Sequence, residues 1–299
     1  MSADATSSAP GVATGWLIAP LRLLVRDRFA LVGLIIFTIF LLIAIFAPLL
    51  APYPPFEAQL TPQGRLRRLE GPSAAHWFGT TAFGVDVFSQ FLLGFRIAFL
   101  VGLIGALAVG FISTLFGVVA GYFGRTIDDI LMRLTDVALS IPTLPFAIVA
   151  VGMLGPSIRN IILVITLLFW RNGARIIRSA VLVERERVYV KWARAAGASH
   201  AHIIFRHILP NVFRVVFLWV TMSVAFAIMT EASLSFIGLG DPSVISWGQM
   251  LNTAFASGNL RSAWWWVAPP SIALVMLISS LYLMGRAFEE QANPRLRRG

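Results

Sequence analysis

Long runs without a charged residue recur along this 299-residue chain and set the first expectation about its fold. Residues 29–50 are 22 consecutive uncharged positions, and a helix of about 20 apolar residues crosses a hydrocarbon core of roughly 30 Å. Further uncharged runs lie at 97–120, 137–158, 215–230 and 262–285. A compact soluble core does not need runs of this length, whereas a bilayer does. The pattern therefore predicts an all-α polytopic membrane protein.

One more span is predicted at 160–170, where a shorter uncharged run is followed by Arg171, Arg175 and Arg178. Spacings of four and three place the arginines on one helical face. We expect the helix to finish crossing while the guanidinium groups extend to the cytoplasmic headgroups. An equally good interpretation is that the arginines mark the end of a short span. Both interpretations give six transmembrane helices, with the two termini on the same side.

Composition and charge agree with this expectation. Apolar residues make up 58% of the chain and charged residues 13%, against roughly 45–50% and about 25% in soluble domains. The net charge of +10 would suit nucleic acid phosphates, but its distribution argues against that partner. With the N-terminus inside, eighteen Lys and Arg lie in predicted cytoplasmic segments and six in outer segments, as the positive-inside rule describes. We expect a membrane protein with both termini cytoplasmic, which contacts the lipid bilayer and no nucleic acid.

The spans divide the chain into segments of different character. Residues 1–28 are predicted as a cytoplasmic tail that ends in a surface helix or in a positively charged flank of the first span. The other predicted segments are the first transmembrane helix at 29–50, an extracytoplasmic loop at 51–94, a core domain with five spans at 95–288, and a cytoplasmic C-terminal tail at 289–299. The chain has no cysteine, which excludes disulfides and thiolate metal sites.

Residues 181–211 form a long cytoplasmic insertion inside the core domain. Helix-favouring residues run from 184 to 195, Gly197 interrupts them, and a second helical pattern precedes Pro210. Glycine permits backbone angles that other residues avoid. The segment is therefore predicted as a helix, a tight glycine turn and a second helix that contact another protein.

The spacing of this segment resembles the signature of ABC importer permeases, which is Glu-Ala-Ala, three residues, Gly, nine residues and Ile-x-Leu-Pro. Lys191-Trp192-Ala193, Gly197 and His207-Ile208-Leu209-Pro210 take these places here. Further matches at 120–124, 230–240, 246–248 and 293–297 are similar to the second, C-type membrane subunit of the dipeptide/oligopeptide/nickel branch. Lys191 and Trp192 depart from the usual Glu and Ala.

The resemblance implies a type I ABC importer transmembrane domain, a transport subunit that is not itself an enzyme. It would lie in the bacterial cytoplasmic (inner) membrane and form the translocation pathway as a heterodimer with a homologous permease subunit. Two ABC ATPase subunits would bind ATP and Mg²⁺, and an extracytoplasmic solute-binding protein would dock at the 51–94 loop and at 234–261. The single lysine, Lys191, follows no glycine-rich phosphate loop, so we expect no cofactor in this chain. The cargo expected first is a di- or oligopeptide, while a nickel complex or an oligosaccharide stays open.

The candidate site residues fall in two groups. By the resemblance, the ATPase-coupling residues are Lys191, Trp192, Ala193, Arg194, Ala195, Gly197 and Ala198. Glu231 is a carboxylate inside a span and is either functional or, as we favour, a structural anchor. Met222, Phe226 and Met229 either line the pathway or pack.

Two further clusters have plain interpretations, and two other classes of protein remain as alternatives. The spacing of His200, His202 and His207 argues against a metal site, and the tryptophans at 264–266 fit an interfacial anchor. A channel or secondary carrier would work without ATPases and needs no cytoplasmic insertion. A membrane enzyme would need a convergent acid, base or metal cluster, which the sequence does not indicate.

Overall fold

The computed structural model describes residues 27–292. The predicted tails and the motif at 293–297 therefore lie outside the described residues, apart from the few tail positions nearest the spans. Within 27–292 the chain is helical, with three isolated β-bridges and no strand. In chain order the helices are α1 Arg28–Leu50, α2 Val87–Phe123, α3 Arg125–Ser140, α4 Thr143–Leu154, α5 Ile158–Arg185, α6 Val188–Ala195, α7 His200–Ile203, α8 Leu209–Phe236, α9 Trp247–Ala256 and α10 Trp264–Ala292, with a π-helical turn Ile204–Ile208 between α7 and α8.

Five helical stretches in the described part are long and apolar enough to cross a membrane: α1, α2, α5, the continuous stretch His200–Phe236, and α10. A sixth crossing results if α3 and α4 count as one bent span. The predicted all-α polytopic architecture is confirmed. We call the end of the bundle that carries residues 186–199 the elbow end, and the end that carries residues 51–86 and 237–263 the loop end.

The second span is longer than its uncharged run. It begins at Val87 rather than at 97, because Asp86 caps the helix by accepting hydrogen bonds from the Ser89 backbone N–H and hydroxyl, both at 2.8 Å. Asp86 is itself fixed by His76, whose Nδ1 lies 2.8 Å from Asp86 Oδ1. The loop predicted at 51–94 therefore ends at residue 86. The span predicted at 215–230 is also longer than its uncharged run, because the chain is helical from His200 to Phe236.

The span predicted at 137–158 is not a single helix. α3 and α4 meet at an angle of 84° because Pro142 lacks a backbone donor and holds the preceding Ile141 in an extended conformation. α4 has 12 residues, or about 18 Å at 1.5 Å per residue, which is too short to cross a bilayer alone.

Arg171 is buried at this break. Its side chain is 3% exposed. It donates hydrogen bonds to the carbonyl oxygens of Ala138 and Ile141 and, at 2.7 Å, to the hydroxyl of Thr143. The prediction that Arg171 reaches the headgroups is wrong, because the carbonyls freed by the break between α3 and α4 offer it buried acceptors.

The other two arginines of that face also bind α3. Arg175 pairs with Asp136, and Arg178 donates two hydrogen bonds of 2.5 Å to the carboxylate of Asp128. Neither arginine ends the helix, which continues to Arg185. We call Arg171, Arg175 and Arg178 the arginine ladder, since together they hold the polar helix α3 along α5.

α2 lies at the centre of the bundle and packs closely on α5. A Cβ at Gly117 would lie 2.8 Å from the carbonyl oxygen of Ala174, and one at Gly121 would lie 2.8 Å from Val181 Cβ. Small residues four positions apart allow two helix backbones to approach in this way. The two helices run parallel from the loop end to the elbow end.

The loop end is folded onto the bundle. Trp265 donates a hydrogen bond of 3.3 Å to the Thr80 carbonyl, and Trp266 is 1% exposed. Of the three tryptophans at 264–266, only Trp264 is exposed, so the interfacial-anchor prediction is wrong for the other two, which pack against the 51–86 loop and the core. Trp247 of α9 sits over Gly94 and donates to the Phe91 carbonyl at 3.1 Å.

The arginine ladder yields a test of stability. Asp128→Asn removes the charge from a pair whose side chains are 12% and 30% exposed, and we expect it to cost about 1–3 kcal/mol. Asp136→Asn is the matched control, because its pair is more than half exposed and such pairs contribute about 0–1 kcal/mol. Thermal unfolding of the purified variants in nanodiscs measures both. Equal shifts in Tm for the two variants would contradict the conclusion that the Arg178–Asp128 pair holds α3 on α5 more strongly than the Arg175–Asp136 pair does.

Candidate functional site

The elbow, residues 186–199, is built around a glycine turn. The N–H of Gly197 donates to the Arg194 carbonyl at 3.1 Å, and the N–H of Ala198 donates to the Ala193 carbonyl at 3.0 Å. These two bonds, with φ +81° at Gly197, form a Schellman motif. A left-handed conformation costs most residues about 1–2 kcal/mol, so glycine fixes the turn here. The predicted helix, glycine turn and second helix are confirmed.

Two boundaries of the predicted insertion differ from the structure. The helix expected from 184 to 195 breaks at Glu186 and Arg187, where α5 ends and α6 begins. Pro210 does not terminate the second helix. It lies inside the continuous helical stretch His200–Phe236, directly after the π-helical turn Ile204–Ile208.

One face of the elbow is anchored in the bundle. Val190 is fully buried and packs in a cluster with Val118 of α2 and with Ile177 and Val181 of α5. Ala193 and Ala198 pack against the edge of the same cluster. Of the seven predicted coupling residues, these two alanines face the body of the protein.

The opposite face of the elbow has no partner within the described chain. Val188 and Trp192 are 68% and 71% exposed, and they lie one helical turn apart on α6, so they form one apolar stripe. Lys191, Arg194, Ala195 and Gly197, the other predicted coupling residues, are also exposed. We call Val188 and Trp192 the elbow stripe.

Charges border the elbow stripe. Lys191 Nζ lies 3.0 Å from a carboxylate oxygen of Glu186. The hydrogen bond and charge of Lys191, helped by Arg185, hold the pKa of Glu186 below its usual value. The stripe is therefore flanked by an ionised pair at neutral pH.

Tyr122, in the last turn of α2, contacts the residues on both sides of the glycine turn. Its hydroxyl lies 2.9 Å from Nδ1 of His200, and the guanidinium carbon of Arg194 lies 5.7 Å from its ring centroid. The sequence gave no role to Tyr122. In the sequence, Tyr122 was marked only by its place in the segment 120–124, which resembles the permease family.

The three histidines near the elbow do not form one group. His200 contacts Tyr122, while His202 and His207 have ring centroids 5.6 Å apart. In residues 27–292 no three His, Cys, Asp or Glu side chains converge as a metal site would require.

Glu231 lies where α8 meets α9 near the loop end. It is 4% exposed and accepts a hydrogen bond of 2.6 Å from the Ser235 hydroxyl. The two helices are in backbone contact here, since a Cβ at Gly248 would lie 2.4 Å from the Ala232 carbonyl oxygen. This burial agrees with an anchor between α8 and α9 rather than with a side chain that solute reaches.

The three apolar candidates on α8 have different surroundings. Phe226 stacks on Phe169 of α5 at 5.6 Å, Met222 lies against Gly285 of α10, and Met229 is exposed. Spacings of four and three put them on one helical face. That face of α8 therefore stays a candidate for lining the translocation pathway.

The loop end carries a cavity of about 330 Å³ between the 51–86 loop, the residues after α8, and α9. Asp241 beside it accepts hydrogen bonds from the Ile158 backbone N–H at 3.2 Å and from the Ser243 N–H and hydroxyl. Burial opposes ionisation of Asp241, but these hydrogen bonds outweigh it and hold its pKa below the usual value. The two segments expected to dock a partner, 51–94 and 234–261, thus meet at one surface.

Comparisons with known proteins agree with the geometry. Residues 113–298 match the family described as "Binding-protein-dependent transport system inner membrane component", and residues 16–72 match "N-terminal TM domain of oligopeptide transport permease C". The dipeptide transport system permease protein DppC of Alkalihalophilus pseudofirmus is 36% identical over 91% of this chain and 88% of its own length. DppC of Bacillus subtilis is 34% identical over 93% and 85%, and a putative peptide permease protein of Brucella suis is 35% identical over 94% and 92%.

These matches span the bundle, the elbow and the first helix. The chain belongs to the family of inner membrane components of binding-protein-dependent transport systems, as a permease subunit of an ABC importer.

Proposed function

We propose that this permease subunit imports di- or oligopeptides. Support comes from relatives named for dipeptide or peptide transport that align over most of both chains. The segment from His76 to Gln90 resembles a further family pattern but departs from it, because Thr81, Val85 and Gln90 are neutral where that pattern has charged residues. A nickel complex and a short oligosaccharide are therefore kept as competing cargoes in the test.

The complete importer, in this proposal, contains a homologous second permease subunit, two ABC ATPase subunits and an extracytoplasmic solute-binding protein. The ATPase subunits bind ATP and Mg²⁺. The elbow end and both termini face the cytoplasm, because most Lys and Arg outside the spans lie at that end. The solute-binding protein docks on the cavity surface of the loop end.

The observation that carries the proposal is the elbow stripe. Val188 and Trp192 are exposed on a short helix that the buried Val190 anchors in the bundle and that ends in a Schellman turn. Exposed apolar side chains that are grouped and rimmed by charge mark an interaction surface. A rigid helix transmits displacement better than a flexible loop, so closure of an ATPase groove around α6 would favour one conformation of the spans. Lys191, Trp192, Arg194, Ala195 and Gly197 make the contact, while Ala193 and Ala198 hold the turn to the bundle.

Affinity purification of the tagged chain from its native host tests the assembly. The expected result is co-purification of a second permease, two copies of ATP-binding subunits and a solute-binding protein. Uptake by the reconstituted complex is then compared for a labelled dipeptide, a nickel chelate and an oligosaccharide. ATP-dependent uptake of only the second or third cargo would refute the peptide proposal, and absence of ATP-binding subunits would refute the assembly.

Gly197→Val should uncouple ATP hydrolysis from uptake. A β-branched residue at φ +81° is strained by about 1–2 kcal/mol, which corresponds to about 5- to 30-fold in an equilibrium, so the elbow relaxes to another angle. No atom lies within 4 Å of the added Cβ, so insertion into the membrane should be unaffected. Uptake and ATP hydrolysis are measured in the same proteoliposomes, and the ratio of uptake to hydrolysis should fall by a comparable factor.

Gly155→Val is the matched control. Gly155 has φ +92° and open space around it, and it ends α4 with a hydrogen bond from its N–H to the Val151 carbonyl. Its local strain is similar, but it lies away from the elbow and outside the segments proposed to dock the solute-binding protein. An unchanged ratio in Gly197→Val, or an equal fall in both variants, would contradict the coupling role.

Trp192→Ala should weaken binding of the ATPase subunits. A buried tryptophan at an interface typically contributes roughly 2 kcal/mol or more, which is about thirtyfold in Kd. Trp264→Ala is the control, since Trp264 is similarly exposed but lies at the loop end. Titration of nanodisc-embedded permease with the purified ATPase measures both Kd values. Equal Kd values for Trp192→Ala and the unmodified protein would refute the contact.

A further inference from the structure

Tyr122 contacts both helices that flank the glycine turn, α6 and α7, which we call the two arms of the elbow. Arg194 is the second-last residue of α6, before the glycine turn, and its guanidinium carbon lies 5.7 Å from the Tyr122 ring centroid. His200 is the first residue of α7, after the turn, and its Nδ1 lies 2.9 Å from the Tyr122 hydroxyl. One side chain of α2 therefore bridges the two helices that Gly197 joins.

The contact with His200 is well defined. Tyr122 is 4% exposed. Its ring meets the His200 ring edge-on at 5.6 Å, and the neighbouring Phe123 ring lies 5.7 Å from the same imidazole. His200 itself is exposed, so the hydrogen bond to the buried Tyr122 hydroxyl and the two ring contacts are what fix its imidazole against α2.

α2 connects Tyr122 directly to a second span. The backbone contacts of Gly117 and Gly121 join α2 to α5 over the turns next to Tyr122. At the end of α5, Arg185 donates a hydrogen bond of 2.7 Å to the Gly121 carbonyl. Close-packed helices move as one unit, because their interface deforms little. A displacement of Tyr122 is thus a displacement of the α2–α5 pair.

We propose that Tyr122 is the positioning residue that holds the two arms of the elbow at a fixed angle and transmits elbow movement to the α2–α5 pair. The inference rests on the proposed function of the elbow and adds the route into the membrane. The alternative route, along the backbone from α6 into α5, is weaker, since it passes through the break at Glu186 and Arg187. Val190, the buried residue of α6, is apolar and gives no directional contact.

Tyr122→Phe tests this role with the least disturbance. It keeps the ring under Arg194 and beside Phe123, and it removes the hydroxyl that meets His200. We expect ATPase subunits to bind as before and ATP hydrolysis to continue, while solute taken up per ATP falls about fivefold, the equilibrium factor of one typical net hydrogen bond. A general loss of folded protein would lower both activities together and leave the ratio unchanged.

Two substitutions of His200 test the partner side. His200→Leu removes the polar atom and should lower the ratio of uptake to hydrolysis as Tyr122→Phe does. His200→Asn keeps a polar atom near the position of Nδ1 and should restore most of it. Ser271→Ala is the control, because the Ser271 hydroxyl also makes one hydrogen bond, of 2.9 Å to the Val267 carbonyl, but it lies in α10, away from the elbow and outside the proposed docking segments.

The outcomes separate this inference from the function on which it rests. If the unmodified permease binds no ATPase subunit at the elbow, the proposed function itself fails. If ATPase subunits bind and the ratio is unchanged in both Tyr122→Phe and His200→Leu, only the role of Tyr122 is refuted. If Ser271→Ala lowers the ratio as much as Tyr122→Phe does, the effect is not specific to the elbow, and the role is refuted as well.

Discussion

The close packing of α2 on α5 is the constraint on which the rest of this structure depends. Gly117 and Gly121 bring the two backbones into contact, and a side chain at either position would separate the helices. α5 in turn carries the arginine ladder that holds α3, and the elbow begins where α5 ends. The polar helix, the broken span and the elbow are therefore all positioned by one pair of parallel helices.

Much of this architecture is readable from the chain, because each predictable element has a local cause. Uncharged runs long enough for a bilayer mark the spans, and Gly197 marks the turn of the elbow. The elements that escaped prediction depend on partners distant in sequence. Arg171 follows an apolar run and therefore suggested a membrane surface, whereas its acceptors at Ala138 and Ile141 exist only because the chain breaks some thirty residues earlier.

The candidate site shows the same division. The spacing of Lys191, Gly197 and Pro210 located the elbow, since a family signature is a local pattern. The direction of each side chain was not predictable. That Trp192 faces away from the bundle while Ala193 faces it follows from where Val190 is buried, and Tyr122 meets His200 only because α2 ends where α7 begins. Both features depend on tertiary packing between segments distant in sequence, which a local pattern does not show.

The π-helical turn Ile204–Ile208 has a consequence for the long helix that follows it. A π turn accommodates one residue more than an α turn, and each helical residue rotates the chain by about 100° and advances it by 1.5 Å. The side chains of α8 are therefore out of phase with those of α7, although the two appear as one rod. The direction in which the side chains of Phe226 and Glu231 point around the axis of α8 is therefore set several turns away, by the one additional residue of the π turn beside the elbow.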